Sequence, residues 1–315
     1  WTDHWHYNLD TIDSFLSVFP DRLDHLLFTP DCCTYAQSLG FVRPRAERYE
    51  LVDGEPRPQN FLEAPKEHDW MARTPLMWVR TRGGDGDIYT TTLFAKLLAL
   101  VPLKMATLDP FGVGIEFEAG RANWNDALHN MNELFGSSTN ETIELLRLVN
   151  FLLAAGEQTQ WEEVRLTTEQ TQLVRSVEAA LKECPGDDPD TLLAYWDRTN
   201  TAKERFRECT RHGIDGAEEV LTRETVDGFL TACRRKLEDG LARAVDPETG
   251  LMESYLYHEM TDYDVTENGE IRAKAFKQIR TVPFLEGPMH YLRVLGPGPK
   301  ARRQYQAVRR SELYD

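Results

Sequence analysis

Apolar side chains recur at helical spacing through most of this chain, and no other feature of the sequence constrains its fold as strongly. Near the beginning they form one stripe that ends at Pro20, which predicts an amphipathic helix. The residues of this stripe are Leu9, Ile12, Phe15, Leu16 and Phe19. A second, short helix is predicted through Leu23 and Leu27, and a third from Tyr89 to Pro102, where the proline should end or kink it.

The middle of the chain predicts longer helices. Ser138 and Glu141 have the spacing of a capping box ahead of an apolar series, so a long helix should begin near Thr139 and end at Gly156. Residues 157–245 are highly charged and have few Pro or Gly inside their periodic segments, which predicts three helices with polar faces rich in Glu and Arg. These three helices are predicted at about 161–184, 191–211 and 223–245.

Strand signals are few. Residues 30–86 are typical of a loop-rich excursion with a short hairpin near 49–57, and a tyrosine-rich stretch at 255–257 predicts a second short hairpin before a terminal helix around 300–313. Many helices, few strands and long loops predict a mainly α fold, a helical toroid whose helix pairs surround a central pocket. The predicted divisions are 1–156, the first part of the barrel; 157–245, a charged insertion or further barrel helices; and 246–315, the return to the barrel.

The charge balance excludes several classes of partner. Among 315 residues, 36 Lys and Arg stand against 52 Asp and Glu, and the formal charge of −16 repels phosphate backbones and anionic membranes. We therefore expect neither nucleic acid nor a membrane as a partner, and no apolar run reaches the ~20 residues of a spanning helix. Five cysteines without a C-x-x-C pair predict reduced thiols in a cytoplasmic protein and no metal site. Since the chain begins at Trp1, we expect it to be a segment of a longer protein.

Residues 114–128 concentrate polar and aromatic groups between two predicted helices. The carboxylates there are Glu116, Glu118 and Asp126, and the other groups are Arg121, Asn123, Trp124 and Asn125. Aromatic faces pack on the C–H surfaces of sugars, polar side chains hydrogen-bond the hydroxyls, and a carboxylic acid protonates the leaving oxygen of a glycosidic bond. A second interpretation stays open, in which Asn125 or Asp126 caps the following helix.

Residues 123–130 resemble the (G/A)-D-W-N-D-x-(L/M)-N signature of the cellobiose and chitobiose phosphorylases, and residues 3–10 are similar to the same proteins. The members of this family are inverting enzymes built on an (α/α)6 barrel. The resemblance therefore implies the same barrel, here as an incomplete segment. It places Asp126 at the position of the general acid and Trp124 at that of the tryptophan that stacks on the sugar. The family grips the sugar with an Arg-Asp pair; the arginine is absent here, and Asp3, which has Trp5 nearby, or Asp10 is a loose substitute for the pair.

The second reactant decides which further groups the reaction needs. An inverting phosphorylase uses inorganic phosphate as its nucleophile, so phosphate would be a co-substrate and no cofactor is implied. An inverting hydrolase needs a second carboxylate, roughly 6.5–9.5 Å from the acid, to activate water. Glu116 and Glu118 alternate with apolar residues in a strand-like pattern and are the local candidates for this base. Two alternatives stay open: both are structural carboxylates that satisfy Arg121 or a backbone turn, or the base comes from beyond this sequence.

The sequence therefore predicts an inverting carbohydrate-active enzyme, a glycoside phosphorylase or hydrolase, that acts on a β-linked gluco-oligosaccharide with Asp126 as general acid. The alternative is a non-catalytic carbohydrate-binding or scaffold protein on a degenerate barrel. A third hypothesis assigns the acidic helices of 157–245 to oligomerisation, as in a homodimer.

Overall fold

The helices predicted from apolar periodicity are present in the structure. The computed structural model describes residues 5–37, 40–58, 62–63, 78–117 and 136–314. Within these residues lie nine α-helices: α1 (Trp5–Val18), α2 (Leu23–Phe28), α3 (Leu93–Met105), α4 (Thr139–Gln158), α5 (Thr168–Glu183), α6 (Pro189–Cys209), α7 (Arg223–Ala244), α8 (Glu286–Leu295) and α9 (Pro299–Arg310).

Helix α4 lies at the centre of the hydrophobic core. Its apolar face is completely buried, as shown by Ile143, Leu145, Leu148, Val149 and Leu152. It packs against α1, α3, α7 and α8, while α5 packs against α6 and α7. Because each buried Leu, Ile or Val contributes about 1.5–3 kcal/mol, α4 is a rigid base for the residues on its first turns.

Strands join these helices in four antiparallel sheets. The strands of the described residues are β1 (Phe41–Val42), β2 (Tyr49–Val52), β3 (Glu55–Pro58), β4 (Leu62–Glu63), β5 (Ile115–Glu116), β6 (Gly136–Ser138), β7 (Glu163–Thr167), β8 (Glu218–Thr222), β9 (Tyr255–Val265) and β10 (Ile271–Arg280). The largest sheet has the order β10-β9-β6-β5, and the other pairs are β1 with β4, β2 with β3, and β7 with β8.

This four-stranded sheet shows that the predicted fold class was wrong. The chain has a mixed α/β fold and is not the mainly α helical toroid, or (α/α)6 barrel, that the sequence predicts. The physical reason is the origin of the strands: β5 and β6 precede α4, whereas β9 and β10 follow α7. Local periodicity reports on neighbours in the chain, and it carries no information about pairing between distant segments.

Smaller differences also have local causes. Helix α3 begins at Leu93 and continues past Pro102 to Met105. A proline there removes a single backbone donor close to the helix end, so one more turn can follow. The second hairpin extends well beyond the predicted 255–257, and β7 and β8 occupy positions before α5 and α7 that the periodicity does not reveal.

Of the helices in the described part of the chain, none has both the length and the apolar character needed to cross a membrane.

Helix α7 makes a very close contact with the turn that precedes β5. A Cβ atom on Gly240 would lie 2.1 Å from the carbonyl oxygen of Gly112, so a hydrogen atom at this position is what allows the contact. One helical turn further on, Arg243 donates from Nη2 to the carbonyl oxygen of Phe111 at 3.0 Å. The turn is therefore fixed on α7 before the chain enters the sheet.

We expect Gly240→Ala to lower the free energy of unfolding by about 1–3 kcal/mol, because the added methyl group forces two backbones apart. The matched control is Gly228→Ala on the same helix, where a Cβ would meet no atom within 4 Å. This control should stabilise the protein by about 0.5–1 kcal/mol, since alanine favours a helix over glycine. Urea unfolding of both variants measures the difference, and equal effects would contradict the close contact.

Candidate functional site

The predicted site is centred on residues outside the described part of the structure. Segment 118–135 contains most of them: Glu118, Arg121, Asn123, Trp124, Asn125 and Asp126. Asp3 also lies outside the described residues, and Trp5 opens α1 with only its backbone described. The surroundings of the site are therefore built from Glu116 and from the groups at the two ends of the segment.

The residues that flank segment 118–135 lie side by side on the four-stranded sheet. β5 pairs with β6, and the backbone N–H of Phe117 donates to the carbonyl oxygen of Gly136 at 2.9 Å. Glycine is required at this position because a Cβ would lie 2.6 Å from the carbonyl oxygen of Leu256. The segment that carries the predicted motif thus leaves and rejoins the sheet at neighbouring positions.

Glu116 holds its carboxylate in a buried ion pair. Its Oε2 lies 3.4 Å from Nη1 of Arg48, and its Oε1 accepts a hydrogen bond of 2.5 Å from the indole Nε1 of Trp196. The Glu116 side chain is completely buried and that of Arg48 is 4% exposed. A general base must reach the water that it activates, and here protein partners occupy both oxygens. The geometry favours the structural alternative for Glu116.

Arg48 and Trp196 reach Glu116 from distant parts of the chain, 68 residues before it and 80 residues after it. The loop that carries Arg48 is held on α6 through Arg45, whose Nη2 donates to Asp197 at 2.9 Å. The guanidinium of Arg45 also lies over the Trp196 ring, 5.6 Å from its centroid. Sequence reasoning missed both partners because no local pattern connects them to Glu116.

Asp109 organises the turn that leads into β5. Its Oδ1 accepts from the N–H of Val113 at 2.9 Å, and its Oδ2 accepts from the N–H of Gly114 at 2.9 Å and from the Ser137 hydroxyl at 2.7 Å. The Nε2 atom of His258 lies 3.3 Å from Oδ2. Burial raises the pKa of Asp109, but the interactions with His258, Val113 and Ser137 outweigh it and hold the pKa below its ordinary value.

A second polar cluster joins the beginning of α1 to α4 and α8. Glu144 is 1% exposed, and its carboxylate lies 2.7 Å from Nδ1 of His290 and 3.1 Å from Nη1 of Arg147. Arg147 also donates to Asp10 at 2.7 Å. The His6 ring meets the His290 ring edge to face at 6.2 Å, and burial lowers the pKa of His6. The residues after Asp3 and Trp5 are thus tied to the first turns of α4.

The capping box predicted at the start of α4 is not formed. Ser138 makes no capping hydrogen bond, and Glu141 is ion-paired with Lys104. Ser138 and Asn140 are 1% and 5% exposed. Within the described ranges, no group hydrogen-bonds the hydroxyl of Ser138 or either amide atom of Asn140. The end of β6 and the first turn of α4 therefore carry buried polar atoms a few residues after segment 118–135.

Neither a search for metal-binding groups nor comparison with known proteins assigns a function to the site. Among the residues that the structure describes, no group of three His, Cys, Asp or Glu side chains is arranged to hold a metal ion. No family model matches the chain, and no curated protein matches it.

Asp109→Asn should lower the free energy of unfolding by about 3 kcal/mol at pH 7, because the amide group cannot accept every bond that the carboxylate accepts. The lowered folded-state pKa means that this contribution is complete above the unfolded pKa, ~3.9, and is lost as the pH falls through the folded pKa. Denaturant unfolding between pH 7 and pH 3 measures the difference between the variant and the unaltered protein. A difference that grows toward acid pH would contradict the assignment.

Glu116→Gln is expected to lower the free energy of unfolding by about 3–5 kcal/mol, since it removes the buried negative charge that pairs with the buried Arg48 cation. Glu183→Gln is the matched control, because Glu183 and Arg198 form an ion pair in which both side chains are more than half exposed. Removing that pair should change stability by less than about 1 kcal/mol. Thermal and urea unfolding measure the loss of stability in each variant. Equal losses would contradict the structural role of the buried ion pair.

Proposed function

We propose that this protein is an inverting carbohydrate-active enzyme that cleaves a β-linked gluco-oligosaccharide, with Asp126 as the general acid. The observation that carries the proposal is the pairing of the residues that flank segment 118–135, since Phe117 and Gly136 are hydrogen-bonded to each other on the sheet. Catalytic groups need a fixed frame, and loops held on a rigid scaffold provide one. The resemblance of residues 123–130 to the phosphorylase signature supplies the chemical role of Asp126.

Two buried groups support this frame from the side of β5. Asp109 fixes the turn before the strand, and Glu116 ties the strand to α6 through Trp196. Both carboxylates make contacts that belong to folded structure and not to a reacting centre. Their burial supports a division of labour in which residues before 118 position the segment and residues within it perform the chemistry.

The contacts of Glu116 argue against it as the base of a hydrolytic reaction and leave the choice between phosphorolysis and hydrolysis to the assay below. Hydrolysis with inversion needs a carboxylate that activates water, and the Glu116 oxygens are occupied by Arg48 and Trp196. Glu118 remains the local candidate for such a base. In phosphorolysis, a phosphate oxygen attacks the anomeric carbon while Asp126 gives its proton to the leaving oxygen, and no second carboxylate is required. The products are an α-linked sugar 1-phosphate and the shortened oligosaccharide.

Asp126→Asn should reduce the rate by about 10³-fold, the scale of general-acid catalysis, with a nearly unchanged melting temperature. The assay measures sugar 1-phosphate and reducing sugar released from cellobiose and longer β-linked gluco-oligosaccharides, with and without inorganic phosphate. If Asp126 is a helix cap, the melting temperature falls and activity per folded molecule survives.

The unaltered protein gives the control for the reaction type. Sugar 1-phosphate formed only in the presence of phosphate supports phosphorolysis, and glucose formed without phosphate supports hydrolysis with Glu118 as the candidate base. Cellobiose bound without any product would overturn the catalytic proposal in favour of a non-catalytic carbohydrate-binding protein.

A further inference from the structure

Ser138 at the end of β6 and Asn140 in the first turn of α4 carry three buried polar atoms that lack hydrogen bonds to the described residues. The Oγ atom of Ser138 and the Oδ1 and Nδ2 atoms of Asn140 are buried, and none has a partner among the described residues. More than nine-tenths of each residue is removed from solvent. Buried polar groups are almost always hydrogen-bonded, and leaving them without partners costs stability. Three such atoms within three consecutive residues indicate a partner that is not part of the fold.

The location of these atoms connects them to the predicted site. Ser138 pairs with Ile115 on one side and with Tyr255 on the other, so it lies inside the four-stranded sheet. It follows the end of segment 118–135 by three residues, and Asn140 follows by five. The sheet pairs Phe117 and Gly136, the residues that flank that segment.

The surrounding charges define the class of ligand. Glu141 is ion-paired with Lys104, and Glu144 is held by His290 and Arg147. These carboxylates and cations pair with one another, so the described residues near Ser138 and Asn140 offer no excess positive charge to attract an anion. Ser138 and Asn140 offer neutral donors and acceptors in the same place. A neutral ligand with several hydroxyl groups matches both kinds of atom.

We propose that Ser138 and Asn140 bind hydroxyl groups of the sugar substrate. This inference rests on the proposed function, and it extends the site beyond segment 118–135 to the first turn of α4. When the sugar binds, its hydroxyls would supply the hydrogen bonds that these atoms lack in the free protein. The two residues are binding residues and have no part in proton transfer.

The inference is tested with Ser138→Ala and Asn140→Leu. Each change removes buried polar atoms without partners, so the melting temperature of the free protein should rise or stay constant. Cellobiose affinity, measured by calorimetry on the phosphate-free protein, should fall by about tenfold or more, since a polar contact made to a substrate hydroxyl is lost. Ser138→Ala deletes a single oxygen atom, so it keeps the test valid if the larger change Asn140→Leu disturbs folding.

Thr171→Val is the matched control. Thr171 lies on α5, is completely buried, and has a hydroxyl without a partner among the described residues. It should therefore show the same neutral or stabilising effect on melting temperature and leave cellobiose affinity unchanged. A loss of affinity in this control equal to that of the other two variants would overturn the inference.

The remaining outcomes separate the two proposals. If the unaltered protein binds cellobiose and both α4 variants bind it equally well, the sugar-binding role of Ser138 and Asn140 is overturned while the proposed function stands. If both variants lose stability and keep affinity, these residues serve folding. If the unaltered protein neither binds cellobiose nor releases product from it, the proposed function fails, and this inference fails with it.

Discussion

The buried carboxylate of Asp109 is the interaction on which the arrangement of the sheet depends. It accepts hydrogen bonds from its own turn and from Ser137 on β6, and Nε2 of His258 on β9 lies 3.3 Å from its Oδ2. Three chain segments that are far apart in sequence therefore meet at one charge. Such a buried charge is tolerated only when several donors surround it, and the same donors fix the turn that leads into β5. The contact of that turn with α7 through Gly240 links the sheet to the helical core.

The sheet separates two polar regions that have different tasks. On one side, Glu116 is enclosed by Arg48 and Trp196, and it ties the strand to the surrounding loops and helices. At the start of α4, by contrast, the polar atoms of Ser138 and Asn140 have no partner in the described part of the chain. A satisfied buried network makes a structure rigid, whereas unsatisfied buried atoms cost stability unless a ligand completes them.

The candidate site could be predicted from the sequence only where its signal is local. Residues 114–128 stand out because carboxylates, amides and an indole are crowded into a short stretch. The partners of Glu116 have no such signal, since Arg48 and Trp196 approach it from 68 and 80 residues away. The capping-box pattern at Ser138 and Glu141 failed for a related reason. Lys104 on α3 binds Glu141, and this tertiary contact competes with the local one.

The sequence by itself determined most of the described helices, although not α8, because their apolar stripes and helix ends are encoded by residues three or four positions apart. It did not determine the fold class, since the sheet joins strands on both sides of more than a hundred residues of helical chain. Much of the β9–β10 hairpin is exposed and polar, so it lacks the alternating apolar pattern that would have revealed it. Only the tertiary structure decided that Phe117 and Gly136 lie side by side, that the Glu116 carboxylate is enclosed and that Ser138 and Asn140 lack partners. Each of these facts arises from contacts between distant segments, which the order of residues along the chain does not display.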